Sequence, residues 1–149
     1  MNLGYRKSKT SILIPMRSIN EGKTRLSNLL SPNKREKLIK LLFTQLLKKL
    51  KTLKDQFPLI FSDILVITPC EEVEKISKDF HVHVLKEQYL NGLNSAVNKG
   101  ICWSSENLYD SCLILPGDII DPETEDIKKI LEMGKKSKDS MVICLSLIH

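Results

Sequence analysis

The sequence predicts an α/β fold built on a mostly parallel sheet, and three observations lead there. Short branched apolar runs alternate with segments of helical periodicity, the runs are apolar at successive positions as strands covered on both faces are, and prolines stand at several of their ends. A chain of 149 residues with 42% apolar and 28% charged residues is long enough to bury one core without disulfides or structural metal, so a single domain is expected over 1–149.

The first strand is SILIPM, 11–16, a branched run closed by a proline. A polar loop, Arg17 to Leu30, follows. Ser31-Pro32 then supplies an N-cap and a proline at the first helical position. The helix that begins there should run to about Leu53, with Leu38, Leu41, Leu42, Gln45, Leu46 and Lys49 along one face and Phe43, Leu47 and Leu50 widening it. ILVIT, 64–68, reads as a second strand ending at Pro69, and Glu71 to Asp79 as a short helix with its acidic residues first. His81 to Leu85 makes a third strand, about Leu93 to Trp103 a helix, and Cys112 to Leu115 a fourth strand ending at Pro116-Gly117-Asp118. Another helix follows Pro122, and Met141 to Leu147 is apolar enough for a fifth strand.

Composition narrows the partners. The net charge of +5 attracts phosphate-bearing molecules, although Lys48, Lys49, Lys51 and Lys54 follow the helical pattern and read as a solvated face. Aromatic residues are only 5% and do not interleave with basic ones, which argues against a nucleic-acid surface. Cys70, Cys102, Cys112 and Cys144 have neither Cys-x-x-Cys nor zinc spacing, and Cys112 and Cys144 sit in apolar runs, so free thiols in a reducing cytoplasm are expected. Residues 1–10 are short, basic and polar, unlike a signal peptide or a membrane span.

Open parallel sheets bind ligands beyond the carboxyl ends of their strands, which directs attention to the loops at 17–25 and 116–121. The first offers Arg17, Lys23 and Arg25 with Gly22, a set that neutralises polyphosphate when it converges and is a solvated surface when it does not. It has no Gly-x-x-x-x-Gly-Lys pattern. In the second, Asp118 follows a buried strand directly, where a carboxylate can share magnesium with phosphate oxygens or simply begin a turn. Asp121 reads as the cap of the helix that opens with Pro122. Asn91-Gly92-Leu93-Asn94 leads into a helix whose free N–H groups suit a phosphate or a base edge, with Asn94 as N-cap the default. His81 and His83 on one strand face have two-histidine metal geometry, but an edge or half-exposed strand explains them without a third ligand. Cys70 has no histidine at a spacing that would make it a nucleophile, and Trp103 reads as core or helix surface.

Four stretches in order, ILIPMRSINEGKTRLSNLLSP, ILVITP, NGLNSAVNKGI and LILPGDI, resemble the 2-phospho-L-lactate guanylyltransferase family, which also covers phosphoenolpyruvate and related phospho-acids. Arg17 followed by Lys23, Thr24, Arg25 and Leu26 fits the family's basic residue and Lys-Ser/Thr-Arg-Leu. Gly92, Leu93 and Asn94 fit its Gly-Leu-Asn, and Pro116, Gly117 and Asp118 its strand-end Pro-Ala/Gly-Asp. The resemblance implies a Rossmann-like sheet of the nucleotide-diphospho-sugar transferase, or glycosyltransferase-A, type. It also implies transfer of GMP from GTP to 2-phospho-L-lactate, phosphoenolpyruvate or 3-phosphoglycerate in coenzyme F-420 biosynthesis. Arg17, Lys23 and Arg25 would clamp the triphosphate, Gly92, Leu93 and Asn94 would seat the nucleoside, and Asp118 would hold Mg2+.

Family members continue past the fifth strand through a Gly-Gly-Thr-Asn-like segment and a Gly-x-x-Ser-like stretch that shape the acceptor pocket, whereas this sequence stops at His149. The sheet is therefore expected to be incomplete at its C-terminus, leaving apolar surface and a strand edge uncovered, with poor solubility or a partner, such as a second copy of the chain, as the consequence. A non-catalytic nucleotide-binding remnant is the competing expectation. A molybdenum-cofactor or sugar nucleotidyltransferase is disfavoured by the lack of a Gly-Gly-x-Gly loop after the first strand.

Overall fold

The computed structural model describes residues 9–19, 27–88, 92–136 and the strand backbone of 142–144. Its order is β1 (Thr10–Pro15), α1 (Pro32–Gln56), β2 (Asp63–Thr68), α2 (Glu71–Asp79), β3 (His83–Lys86), α3 (Leu93–Glu106), β4 (Ser111–Ile114), α4 (Thr124–Lys136) and β5 (Val142–Cys144). The five strands form one sheet in the order β3-β2-β1-β4-β5, with every pairing parallel. Among the described residues, no helix is long and apolar enough to cross a membrane.

Strand alternation divides the sheet's side chains between two cores. Ile12, Ile14, Ile64, Val66 and Leu113 point to the face covered by α1, α2 and α4, where they meet Phe43, Leu47, Val73 and Ile127. Leu13, Leu65, Ile67, Cys112 and Ile114 point to the opposite face, against Ala96 of α3. Burial raises the Cys112 thiol above its ordinary range, so it packs as a small protonated hydrophobe. Helix α3 approaches closely because residue 100 is glycine: a Cβ there would lie 3.0 Å from Ile67 and 3.1 Å from Leu13. The buried hydroxyls of Ser11 and Ser104 satisfy each other at 2.8 Å across the same interface.

Helix α1 starts where the sequence indicates. Ser31 is the N-cap and accepts from the Lys34 N–H, and the proline follows at N1. Its buried stripe is Ile39, Leu42, Phe43, Leu46, Leu47, Leu50 and Leu53, rotated from the predicted face: Leu41 is 53% exposed and Gln45 is exposed. Two adjacent faces of this helix are leucine-rich, and contact with the sheet selects the one carrying Phe43. The lysines are not uniformly solvated either. Lys54 donates to the Ser62 carbonyl and lies over the Phe61 ring at 5.6 Å, while Lys49 reaches the loop after β4.

Strand β3 begins two residues later than expected. His81 adopts φ +58 in the turn before it, so the two histidines do not share a strand face. β3 is an edge strand, and His83 sits 3.5 Å from Asp63 with its ring 5.5 Å from that of Trp103. Trp103 stacks on Tyr109 at 5.3 Å, and the Tyr109 hydroxyl donates to Asp63. Burial first, and then the Asp63 carboxylate, push the Tyr109 phenol up.

Glu74 of α2 bonds Lys78 at 2.8 Å and Lys86 of β3 at 2.7 Å, fastening the edge strand to its helix. Those hydrogen bonds, Lys78 foremost, hold its carboxyl at about 2 against an ordinary 4.5. A pKa depressed in the folded state contributes stability above the unfolded value and loses it as pH falls through the folded one. Replacing Glu74 by Gln should therefore flatten the decline in urea midpoint between pH 4.5 and 2 and leave the pH dependence above 5 unchanged.

Candidate functional site at the β1 and β4 exits

Strand order reverses direction at β1. The chain leaves β1 toward β2 on one side, while β4, its other neighbour, continues to β5 on the opposite side. Loops that diverge from neighbouring strand ends leave a crevice between them, the usual place for a ligand on an open α/β sheet. Here the crevice is built tightly. The Met16 N–H donates to the Ile67 carbonyl at 2.9 Å, that of Leu115 to Leu13 at 2.9 Å, and that of Gly117 to Pro15 at 3.3 Å, so parallel pairing persists beyond the strands proper.

Gly117 has a steric reason to lack a side chain. A Cβ at this position would lie 2.4 Å from the Met16 sulfur and 3.2 Å from its Cβ. The Ile119 N–H then donates to Pro116 at 3.2 Å, closing a turn with Gly117 and Asp118 at its centre, and buried Ile119 anchors the far side. Asp118 is left half-buried at the tip.

Across the crevice, Gly92 is the N-cap of α3 at φ +88, a left-handed conformation suited to glycine. An Arg17 Nη2 lies 3.6 Å from where a Gly92 Cβ would stand, so the guanidinium rests against bare backbone at the helix start. Asn94 is not the N-cap. It lies exposed in the first turn, and α3 has no side-chain cap, because the glycine two residues earlier takes that place.

A cavity of about 250 Å³ joins these pieces: Pro15, Met16, Arg17 and Ser18 from the β1 exit, Leu93 from α3, and Pro116 and Asp118 from the β4 exit. Arg17, Leu93 and Asp118 thus share one lining, with Gly92 beside Arg17. Lys23 and Arg25 lie outside the described residues. Ser18 and Met16 were not singled out by sequence, Ser18 because a serine in a polar loop carries no pattern. Asp121 does not cap α4: the helix opens at Thr124, with the Glu123 carbonyl accepting its first bonds, and Asp121 instead receives Lys49.

A larger cavity of about 890 Å³ lies between β3 and α3, lined among others by Leu85, Lys86, Gln88, Lys99 and Trp103. Its lysines are already committed, Lys86 to Glu74 at 2.7 Å and Lys99 to buried Glu87 at 3.2 Å. Size alone does not make it the better candidate, because only the smaller cavity brings opposite charges from two strand exits to a topological switch point. Among the described residues no three metal-ligating side chains cluster. A single carboxylate facing a phosphate-sized space still suits magnesium, which keeps waters and shares phosphate oxygens.

The architecture matches a solved structure from Desulfovibrio desulfuricans G20, provisionally assigned as a nucleotide-diphospho-sugar transferase, with TM-score 0.61 over 87% of this chain and 55% of that one at 17% identity. The fold class is accordingly a Rossmann-like α/β sheet of the nucleotide-diphospho-sugar transferase type. Within it, residues 10–146 match the family described as guanylyl transferase CofC like, and the chain belongs to that family. It is 32% identical over 140 residues to a 2-phospho-L-lactate guanylyltransferase of Methanosphaera stadtmanae and 31% identical over 138 residues to a 3-phospho-D-glycerate guanylyltransferase of Colwellia psychrerythraea. A 2-phospho-L-lactate guanylyltransferase of Methanocaldococcus jannaschii is 31% identical over 137 residues. Each alignment takes in 91% of this chain but 56%, 61% and 54% of the respective relative, so the chain spans a little over half their length.

The packing at Gly117 gives a direct test of the crevice. Gly117→Ala should cost about 1–3 kcal/mol in urea denaturation by overpacking against Met16. In a Met16→Ala background that cost should shrink below about 1 kcal/mol, since the two changes share one contact.

Proposed function

We propose that this chain supplies the nucleotide-binding part of a guanylyltransferase that transfers GMP from GTP to a small phospho-acid and releases pyrophosphate, acting in the cytoplasm in coenzyme F-420 biosynthesis. The observation that carries the reading is the convergence of Arg17 and Asp118 on one cavity at the switch point of a sheet whose family is named for guanylyl transfer. Arg17 holds the triphosphate, together with Lys23 and Arg25 from the segment that follows. The start of α3 at Gly92 and Leu93, with Asn94 behind them, offers N–H groups and an apolar edge to the nucleoside.

In the proposed reaction, a phosphate oxygen of the acceptor attacks the α-phosphorus in line as the bond to the β-phosphate oxygen breaks. Pyrophosphate departs with that electron pair, and no covalent enzyme intermediate is required. Asp118 would hold magnesium, which would supply positive charge to offset that of the phosphates. The protein's own contribution is positional: a cation from one strand exit and an anion from its neighbour hold the reacting groups in place. Two relatives' names give 2-phospho-L-lactate and 3-phospho-D-glycerate as acceptors, and we infer an acceptor of that chemical class here, phosphoenolpyruvate included.

The competing reading is nucleotide binding without turnover. Incubation with GTP, Mg2+ and each of the three phospho-acids separates the two. Pyrophosphate release that depends on the acceptor supports transfer, GTP binding without release supports the alternative, and failure to bind GTP removes both. Asp118→Asn should raise the magnesium required for GTP binding by about 10–100-fold, and Arg17→Ala should weaken GTP itself by about tenfold or more, corresponding to roughly 1.5–3 kcal/mol for a lost charge-assisted contact.

A further inference from the structure

We propose that Lys49 of α1 is a positioning residue that clamps the loop carrying Asp118, a role that rests on the nucleotide reading above. Its ammonium donates to the Asp121 carboxylate and, at 3.0 Å, to the Pro122 carbonyl, crossing 72 residues of sequence to reach the first. Asp121 holds φ +35, a left-handed conformation that a residue with a Cβ adopts at a cost and keeps only when its surroundings impose it. The Asp121 side chain is 73% exposed, and Lys49 is its ion-pair partner, reaching in addition the carbonyl of the next residue.

The loop is thus held from two sides. On the β1 side, Gly117 donates to Pro15 and packs on Met16, and Ile119 closes the turn against Pro116. On the α1 side, Lys49 fixes 121–122. Asp118 lies between them, in the cavity lining. Without Lys49 the segment that follows Ile119 loses its tie to α1, and a carboxylate displaced by a fraction of an ångström no longer meets a cation and a triphosphate together. The Lys49 side chain is 30% exposed, less than a solvated lysine, whereas its neighbour Lys48 points to solvent.

The test compares Lys49→Met, Lys49→Arg, Asp121→Asn and, as control, Lys48→Met in the full chain, with thermal unfolding to verify folding. GTP binding is titrated against Mg2+ in the absence of acceptor, and backbone hydrogen exchange is followed over residues 117–123. Lys49→Met should raise the magnesium needed for half-maximal GTP binding about tenfold, with affinity at saturating magnesium near that of the wild type. Exchange of the Ile119 amide should accelerate by a similar factor. Asp121→Asn should move both quantities in the same direction by less, Lys49→Arg should restore them, and Lys48→Met should change neither.

A Lys49→Met protein with the wild-type magnesium requirement overturns the positioning role, even if the loop exchanges faster. Unchanged exchange overturns the clamp whatever the magnesium result. Should the wild-type chain bind no GTP, the nucleotide reading fails first, and exchange alone then judges the clamp.

Discussion

Strand β1 is hydrogen-bonded along both edges, to β2 and to β4, and covered on both faces, by α1 on one side and α3 on the other. Every residue from Thr10 to Met16 is buried. A strand so enclosed can present polar chemistry only where it stops, because an unpaired charge farther down would forfeit its hydration with no compensating partner. The chain turns polar at Arg17, the first exposed residue beyond β1. Its neighbour β4 obeys the same restriction and reaches its first charge at Asp118. Parallel register places those two exits side by side, so the pairing that stabilises the sheet also sets opposite charges across a small crevice.

The glycines serve the same arrangement in different ways. Gly100 lets α3 lie close on the sheet, which fixes the height of the helix start above the strand ends. Gly92 supplies the left-handed turn into that helix and leaves its backbone open to the guanidinium. Gly117 admits the Met16 side chain beneath the β4 turn. At Gly100 and Gly117 backbone and side chain come closer than a Cβ would allow, and at Gly92 the positive φ does what a side chain would resist.

Much of this was legible in the sequence because local chemistry decides it. Apolar runs stopped by Pro15, Pro69 and Pro116 suit buried strands better than helices, and Ser31-Pro32 supplies an N-cap and a proline at the first helical position. Elsewhere the deciding partner lay far away in the chain. The buried face of α1 depends on which leucines meet the sheet, and Leu41 lost to Ile39 and Phe43 through contacts a helical period does not record. Asp121 beside Pro122 has the local marks of a cap, yet the helix begins at Thr124 and Asp121 pairs instead with Lys49, distant in sequence. Asn94 was displaced by a rule of backbone rather than side chain, since Gly92 can take the positive φ. Of the proposed clamp, Arg17 can be located, while Lys23 and Arg25 belong to the undescribed stretch.

The aromatic group at the opposite end of the sheet has a use of its own. Trp103 is the single tryptophan of the chain and stacks on Tyr109 beside His83, near the amino ends of β2, β3 and β4. Its indole emission is therefore a built-in gauge of whether the floor of the molecule is assembled. Because the crevice opens at the far ends of the same strands, that light signal should follow denaturation faithfully while staying nearly blind to what fills the site.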